Sequence, residues 1–153
     1  MERAIENANK ELAKKFFELF EAESRNEVKA LWAPNYTLHY PGISNPLTSA
    51  ESLEKMKEYN NAFPDLKFTI QYQVCEGDTV VTRMAGRGTH KGEFQGIAPT
   101  NKKVSTTGIS IHRIKEGRIV EETIEFDALG LLLQLGGITL NDIAEHATHE
   151  ARF

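Results

Sequence analysis

The sequence predicts an α+β fold, because helical patterns occupy its first half and strand patterns its second half. Apolar residues between positions 5 and 20 recur at steps of three and four, which indicates one amphipathic helix. Residues 67–74 alternate between apolar and polar, as in a half-buried strand. A tight turn at residues 115–117 joins two further strands. The most economical packing curls an antiparallel sheet around the first helix and leaves a cone-shaped cavity between them.

Two further helices are predicted before the sheet. Asn26 can cap a short helix that includes Trp32 and ends at Pro34. Thr48, followed three residues later by Glu51, forms a capping box that begins the next helix. A proline after residue 63 closes that helix.

The strand and turn signals divide the rest of the chain. Strands are predicted at residues 36–40, 67–74, 79–90, 104–114 and 118–126. Asp127 can cap a leucine-rich helix, which Gly136 and Gly137 can end. The remaining residues are polar, with at most a weak helix after Thr139. We therefore expect a single domain at residues 1–137 and a polar extension at residues 138–153.

Composition excludes several classes of function. A chain of 153 residues with 26% charged residues is ordinary for one globular domain. Its net charge of −4 gives no electrostatic reason to bind nucleic acid or an anionic membrane. No apolar run approaches the roughly 20 residues that span a bilayer. Because Cys75 is the only cysteine and the first residues lack an apolar signal core, we expect a cytoplasmic protein.

Three short segments carry a family resemblance. The first, residues 88–100, has the pattern Gly-Thr-His-x-Gly-x-Phe-x-Gly-Ile-x-Pro-Thr. The second is the hairpin at residues 113–121, and the third is Gln134-Leu135-Gly136. Together they resemble the SnoaL-like polyketide cyclases, also called ester cyclases, which have the nuclear-transport-factor-two-like fold. The resemblance runs from the first helix to Gly136 and implies a cone-shaped α+β barrel, with the curved sheet wrapped around the N-terminal helix.

The resemblance also implies a chemistry, and two positions depart from it. Characterised members close a ring in a polyketide ester by an intramolecular aldol step, and related members hydroxylate similar compounds. A pocket aspartate acts as acid and base with help from a histidine, and no metal or cofactor is needed. Counting from the flanking motifs, the aspartate position falls on Ile124 and the histidine position on Ser110. Isoleucine cannot titrate and serine needs a separate base, so this chain lacks the usual pair.

Other titratable residues could replace that pair. Alternation places Glu122 on the same face as Ile124, and His112 on the matching face of the preceding strand. Both are candidate proton carriers, although the pattern favours strand-end residues that lie partly in solvent. Asp127 is a third candidate, although its position favours a helix cap. His39 can contact a ligand at the pocket mouth or make a structural hydrogen bond.

Aromatic side chains are expected in the core, and some of them in the wall of the cavity. The candidate ligand contacts are Trp32, Tyr40, Phe63, His90, Phe94, Ser110, Ile124 and Phe126. His90 has a second reading, in which it orders its glycine-rich loop through backbone contacts. The ligand expected from these residues is a small apolar or aromatic carbonyl compound.

The predicted function has two alternatives. One is a cofactor-independent acid–base enzyme of the cyclase, isomerase or lyase type, and the other is a protein that binds an apolar molecule without changing it. His146 and His149 have flanking carboxylates but no third ligand nearby, so we predict no metal site. Ile109 and Ile111 add apolar surface to the outer face of the sheet, where a second copy of the chain could form a homodimer.

Overall fold

The computed structural model describes residues 1–150, with side chains described for residues 1–145. His146 and His149, the histidines weighed as metal ligands, lie outside the described side chains. The helices are α1 (Glu2–Glu21), α2 (Arg25–Leu31), α3 (Ser49–Ala62), α4 (Ala128–Leu135) and α5 (Leu140–Glu150). The strands are β1 (Trp32–His39), β2 (Lys67–Glu76), β3 (Thr79–Thr89), β4 (Lys103–Lys115) and β5 (Arg118–Phe126).

The strands form one five-stranded sheet in the order β1-β5-β4-β3-β2. β2 to β5 pair antiparallel with their sequence neighbours, and β1 joins the edge parallel to β5. Helix α1 lies against β2 and β3. The apolar stripe predicted for this helix is confirmed at Phe16 and Leu19, which are buried, but its first residue, Ile5, is 56% exposed. The predicted α+β class, with a curved sheet around the first helix, is confirmed.

The start of the sheet differs from the sequence prediction. Ser24, not Asn26, is the N-cap residue of α2, and the helix ends at Leu31. Trp32, which we predicted in that helix, is the first residue of β1. Pro34 lies inside β1, where the pairing with β5 shifts register. A proline is tolerated there because β1 is an edge strand and proline has no N–H to donate.

Strand β2 contains a bulge that the alternation did not predict. Its pairing with β3 shifts register between Ile70 and Tyr72, so the residues after the shift change faces. Tyr72 and Val74 are therefore 57% and 55% exposed, although the pattern placed them with half-buried Phe68. Gln73 takes the inner face and donates a hydrogen bond to the Lys10 carbonyl oxygen.

The β4–β5 hairpin has the predicted turn and a second bulge. Glu116 and Gly117 both have positive φ, at 50° and 72°, as the two-residue turn of such a hairpin requires. The pairing shifts register beside Arg113, so Ile119 is fully buried while Val120 lies beside an outer groove. Uninterrupted alternation along β5 would place Val120 on the inner face with Glu122, and the bulge prevents this.

Helices α3 and α4 begin as the sequence predicts. The Thr48 hydroxyl accepts from the Glu51 backbone N–H, and the Glu51 carboxylate accepts from the Thr48 N–H at 2.7 Å. Asp127 caps α4 by accepting from the Gly130 N–H at 2.8 Å. Gly136 ends α4 in the left-handed conformation, with φ of 75°.

The connection between β3 and β4 packs against the end of α3. The Lys91 and Gly92 amides donate to the Ala62 carbonyl oxygen at 2.9 and 3.2 Å. A Cβ atom at Gly92 would collide with the Asn61 carbonyl oxygen, so only glycine allows this approach. None of the described helices is both long and apolar enough to cross a membrane.

Candidate ligand cavity

A cavity lies between the inner face of the sheet, α1 and α3. Its volume is about 140 Å³. Its walls are mostly aromatic and aliphatic. The hydrophobic lining residues include Phe16, Phe17, Phe20, Trp32, Met56, Phe63, Phe68, Ile124 and Phe126. Such a concave apolar space suits a small molecule with few polar groups.

Glu122 is the carboxylate in this wall. Its side chain is only 7% exposed and faces the cavity from β5. The Tyr36 hydroxyl donates to Oε2 at 3.0 Å, and the Ser110 hydroxyl donates to Oε1 at 3.1 Å. The His112 Nε2 lies 3.6 Å from Oε2. Four polar groups from β1, β4 and β5 therefore meet at one end of an otherwise apolar cavity.

The electrostatics of this cluster keep Glu122 ionised. Burial by itself raises the pKa of a carboxyl group. Attraction to His112 and hydrogen bonds from its neighbours outweigh burial and leave the pKa of Glu122 below its usual value. Because 3.6 Å exceeds an ordinary hydrogen bond, we ascribe the effect of His112 to charge attraction.

Tyr36 stays protonated beside this carboxylate. Burial raises the pKa of Tyr36 well above its usual value, and the charge of Glu122 adds to the effect. The phenol is thus a fixed hydrogen-bond donor toward Glu122. The sequence analysis missed Tyr36, although its spacing from Leu38 and Tyr40 on the predicted strand placed it on the same face as those residues.

His112 is completely buried behind Glu122. Its ring packs edge-on against Phe16 and Phe17, with ring centres 5.1 and 6.0 Å apart. Neither ring nitrogen has a hydrogen-bond partner among the described atoms, so the ion pair with Glu122 is its one polar contact there.

The two positions that depart from the family pattern face inward, as the alternation predicts. Ile124 lines the cavity. Ser110 is fully buried and lies opposite Ile124 in the β4–β5 pairing. Ser110 serves Glu122 as a hydrogen-bond donor.

The predicted aromatic wall is only partly in the cavity. Trp32, Tyr40, Phe63 and Phe126 line it. Phe94 is 1% exposed and packs against Phe63 and Tyr59, outside the lining. Two wall phenols were missed by the sequence analysis, and one of them, Tyr59, shares a 2.6 Å hydrogen bond with Tyr40.

The remaining histidine and carboxylate candidates lie elsewhere. His90 is buried and its Nδ1 accepts from the Thr100 backbone N–H at 3.2 Å, which orders the glycine-rich loop. The imidazole of His39 is 45% exposed on the opposite side of β1 from Leu38, and it pairs with Glu121 at 3.6 Å. Asp127 is exposed at the α4 cap. The structure does not bring these three side chains to the cavity.

Charged residues from α3 and β3 also border the cavity. Lys55 pairs with Glu58 at 3.0 Å and lies over the Tyr40 ring, and Arg87 is exposed. Within the described residues, no group of three or more His, Cys, Asp or Glu side chains could hold a metal ion.

This architecture defines a class: a cone-shaped α+β protein with an apolar small-molecule pocket and one ionised carboxylate in its wall. A model of the SnoaL-like polyketide cyclase family matches residues 10–135. The chain therefore belongs to the SnoaL-like polyketide cyclase family, whose members are pocket proteins of the cyclase type. No curated protein matches the chain.

Solved structures agree with this assignment. AclR from Streptomyces galilaeus, a proposed hydroxylase, is 26% identical with a TM-score of 0.81, over 88% of this chain and 99% of its own. IdmH from Streptomyces antibioticus, a proposed polyketide cyclase, is 31% identical with a TM-score of 0.77, over 84% of this chain and 98% of its own. A proposed polyketide cyclase from Acidithiobacillus ferrooxidans is 29% identical with a TM-score of 0.74, over 86% of this chain and 96% of its own.

Proposed function

We propose that the protein is a cofactor-independent acid–base enzyme that enolises a small apolar or aromatic carbonyl compound. The observation that carries this proposal is the ionised Glu122 carboxylate, buried in the wall of an apolar cavity beside His112. A buried charge is costly, and a perturbed carboxyl group in a cavity is a candidate functional site.

In this proposal Glu122 replaces the missing family pair. Its carboxylate takes a proton from the carbon next to the ligand carbonyl. The electron pair of the broken C–H bond forms a carbon–carbon double bond, and negative charge moves to the carbonyl oxygen to give the enolate. The enolate then attacks a second carbonyl or is reprotonated at another carbon, and Glu122 returns the proton. Tyr36 and Ser110 hold the carboxylate in position, and His112 balances its charge. Trp32, Tyr40, Phe63, Ile124 and Phe126 form the apolar wall around the ligand.

Proton exchange of β-tetralone, an apolar bicyclic ketone, tests this role. In D2O the wild-type protein should accelerate loss of the protons next to the carbonyl, followed by proton NMR. Glu122→Gln preserves size but removes the base, so exchange should fall at least about 100-fold. Glu121→Gln is the matched control, because Glu121 is the next residue on β5 and its carboxylate contacts His39 and Arg113 instead. Equal exchange rates in wild type and Glu122→Gln would overturn the assignment.

A second function has its own supporting observation. Both Glu122 oxygens already accept internal hydrogen bonds, and its pKa is lowered rather than raised, which weakens it as a base. These facts favour a protein that binds an apolar carbonyl compound without transforming it. Tight binding of β-tetralone without accelerated exchange would establish this alternative over the enzyme.

We also propose that the protein is a homodimer that pairs through the outer face of the sheet. Tyr72, Val74, Ile109 and Ile111 are 57%, 55%, 41% and 37% exposed there. Val74 pairs with Val81, which pairs with Ile111, so these side chains form one row across three strands. A contiguous apolar patch of this kind is typical of an interface. A cytoplasmic location stays a prediction from the sequence.

A further inference from the structure

We propose that the indole N–H of Trp32 donates a hydrogen bond to the carbonyl oxygen of the ligand. This inference rests on the proposed ligand cavity and deepens it, since it states which polar group the ligand presents and where. The interaction is a hydrogen bond only, and no covalent bond to the indole forms or breaks. Trp32 is thereby assigned as the residue that orients the carbonyl compound.

The first support is an unsatisfied donor. Trp32 is only 3% exposed, and its Nε1 is buried without a hydrogen-bond partner among the described atoms. Buried tryptophan N–H groups usually have a partner, because leaving one unpaired is costly. Trp32 also lines the cavity. In this proposal a molecule in the cavity supplies the missing acceptor. The indole can only donate, which requires an oxygen or another acceptor on the ligand.

The second support is the position of this donor relative to Glu122. The Trp32 ring stacks on the Tyr36 ring, with centres 4.1 Å apart and planes within 6°. The Tyr36 hydroxyl in turn donates to Glu122 Oε2 at 3.0 Å. The indole donor and the carboxylate therefore belong to one wall and are linked through a single aromatic ring.

This arrangement suits an enolisable ligand. In this proposal the carbonyl oxygen of the ligand lies at Trp32 and the adjacent carbon lies toward Glu122. If Glu122 removes a proton there, negative charge develops on the oxygen, and a hydrogen bond to that oxygen strengthens as the charge grows. A ligand without an acceptor would leave the indole N–H unsatisfied. The cavity should thus prefer a carbonyl compound to a hydrocarbon of the same shape.

Trp32 is the only tryptophan in the chain, so its indole gives a single, assignable NMR signal. The probes are β-tetralone and its hydrocarbon analogue, in which an exocyclic C=CH2 replaces C=O. With uniformly 15N-labelled protein, β-tetralone should move the indole proton signal downfield relative to the hydrocarbon. Both probes contain the same aromatic ring, so the ring current of the probe shifts the indole proton equally in the two complexes and cancels in the comparison.

Binding affinities of variants provide the second readout. Trp32→Phe keeps an aromatic wall but loses the donor, so β-tetralone should bind roughly tenfold more weakly while the hydrocarbon changes little. Phe126→Leu is the control, because it removes apolar wall without touching a donor and should weaken both probes alike. The wild-type NMR comparison stands even if Trp32→Phe does not fold.

The outcomes separate this inference from the proposed function. If both probes bind and shift the indole proton equally, the Trp32 hydrogen bond is refuted, while the ligand cavity survives. If β-tetralone shows the downfield shift but no accelerated exchange, Trp32 is supported and the enzyme is refuted. If neither probe binds, the ligand cavity and the role of Trp32 fall together.

Discussion

Glu122 illustrates how a buried charge becomes tolerable. Desolvation of a carboxylate costs several kcal/mol, even after the protein relaxes, unless partners offset it. Here the Tyr36 and Ser110 hydroxyls and the nearby His112 supply those partners from two neighbouring strands. The cluster therefore couples stability to the ionisation of one side chain, which makes it accessible to a pH experiment.

The stability of the wild type relative to Glu122→Gln should depend on pH. The pKa of Glu122 in the folded protein is below its ordinary value of 4.5, so the folded state favours the carboxylate more than the unfolded state does. The stabilisation is therefore fully present above pH 4.5 and is lost as pH falls through the lowered pKa. Urea unfolding of both proteins between neutral and acid pH measures this difference.

Glu121→Gln serves as the control for that experiment. Glu121 is about one-third exposed and pairs with His39 and Arg113 in partial contact with solvent, so solvent screens its interactions. Its replacement should change the acid dependence much less. A difference between wild type and Glu122→Gln that stays constant down to strongly acid pH would contradict the ionised assignment.

The sequence predicted part of this cluster. Alternation along β4 and β5 placed Glu122, His112 and Ser110 on the inner face because no irregularity interrupts those segments. Tyr36 was missed although it lies on the predicted strand, because spacing within that strand cannot show that β1 pairs with β5 beside Glu122. The ion-pair distance and the lowered pKa depend on three strands meeting, and spacing within one segment cannot specify that.

At the level of elements, α3 closes one side of the cavity. Its cavity-facing side chains come from Ser52, Lys55, Met56 and Tyr59. The helix is fixed at its start by the reciprocal hydrogen bonds between Thr48 and Glu51. The capping box therefore supports a wall of the site as well as a helix.

Thr48→Ala should destabilise the protein by about 1 kcal/mol, because it leaves the first-turn N–H of Glu51 without its capping acceptor. Asn26→Ala is the matched comparison. Asn26 is exposed within the first turn of α2, and the N-cap of that helix is Ser24, so its loss should cost less than about 0.5 kcal/mol. Thermal or urea unfolding measures both. A larger loss for Asn26→Ala than for Thr48→Ala would show that the assigned caps are wrong.

The starts of α3 and α4 and the β4–β5 turn were predictable because each depends on a few adjacent residues, whereas the cap of α2 is Ser24 and not the predicted Asn26. The capping box of α3, the Asp127 cap and the turn at Glu116 and Gly117 all occur where the sequence places them. The bulges in β2 and β5 were not predictable, since alternation assumes an uninterrupted pleat. Each bulge changes which side chains reach the core, as the exposure of Tyr72 shows.

For the whole molecule, the sheet has two different tasks. Its inner face meets α1 and the cavity, which accounts for the buried side chains of β3, β4 and β5. Its outer face combines apolar side chains with Arg83, whose guanidinium donates to the Gln71 side-chain oxygen. The sheet therefore has the cavity on its inner face and a partly apolar surface on its outer face.

If this outer surface forms the proposed homodimer, Ile111→Lys should produce monomers. Ile111 lies between Val81 and Thr123 in the sheet, so a lysine there places a charge within the apolar row and opposite its symmetry-related copy. Analytical ultracentrifugation should show wild type at twice the 17.2 kDa chain mass and the variant at that mass.

Because α1 lies on the inner side of the sheet, Ile5→Lys is the control. Ile5 is 56% exposed on that helix, and its replacement should leave the dimer intact. A dimer must also have a melting temperature that rises with protein concentration, and Ile111→Lys should abolish that dependence. A wild-type protein that sediments as a monomer, or an Ile111→Lys variant that stays dimeric, would assign this face another role.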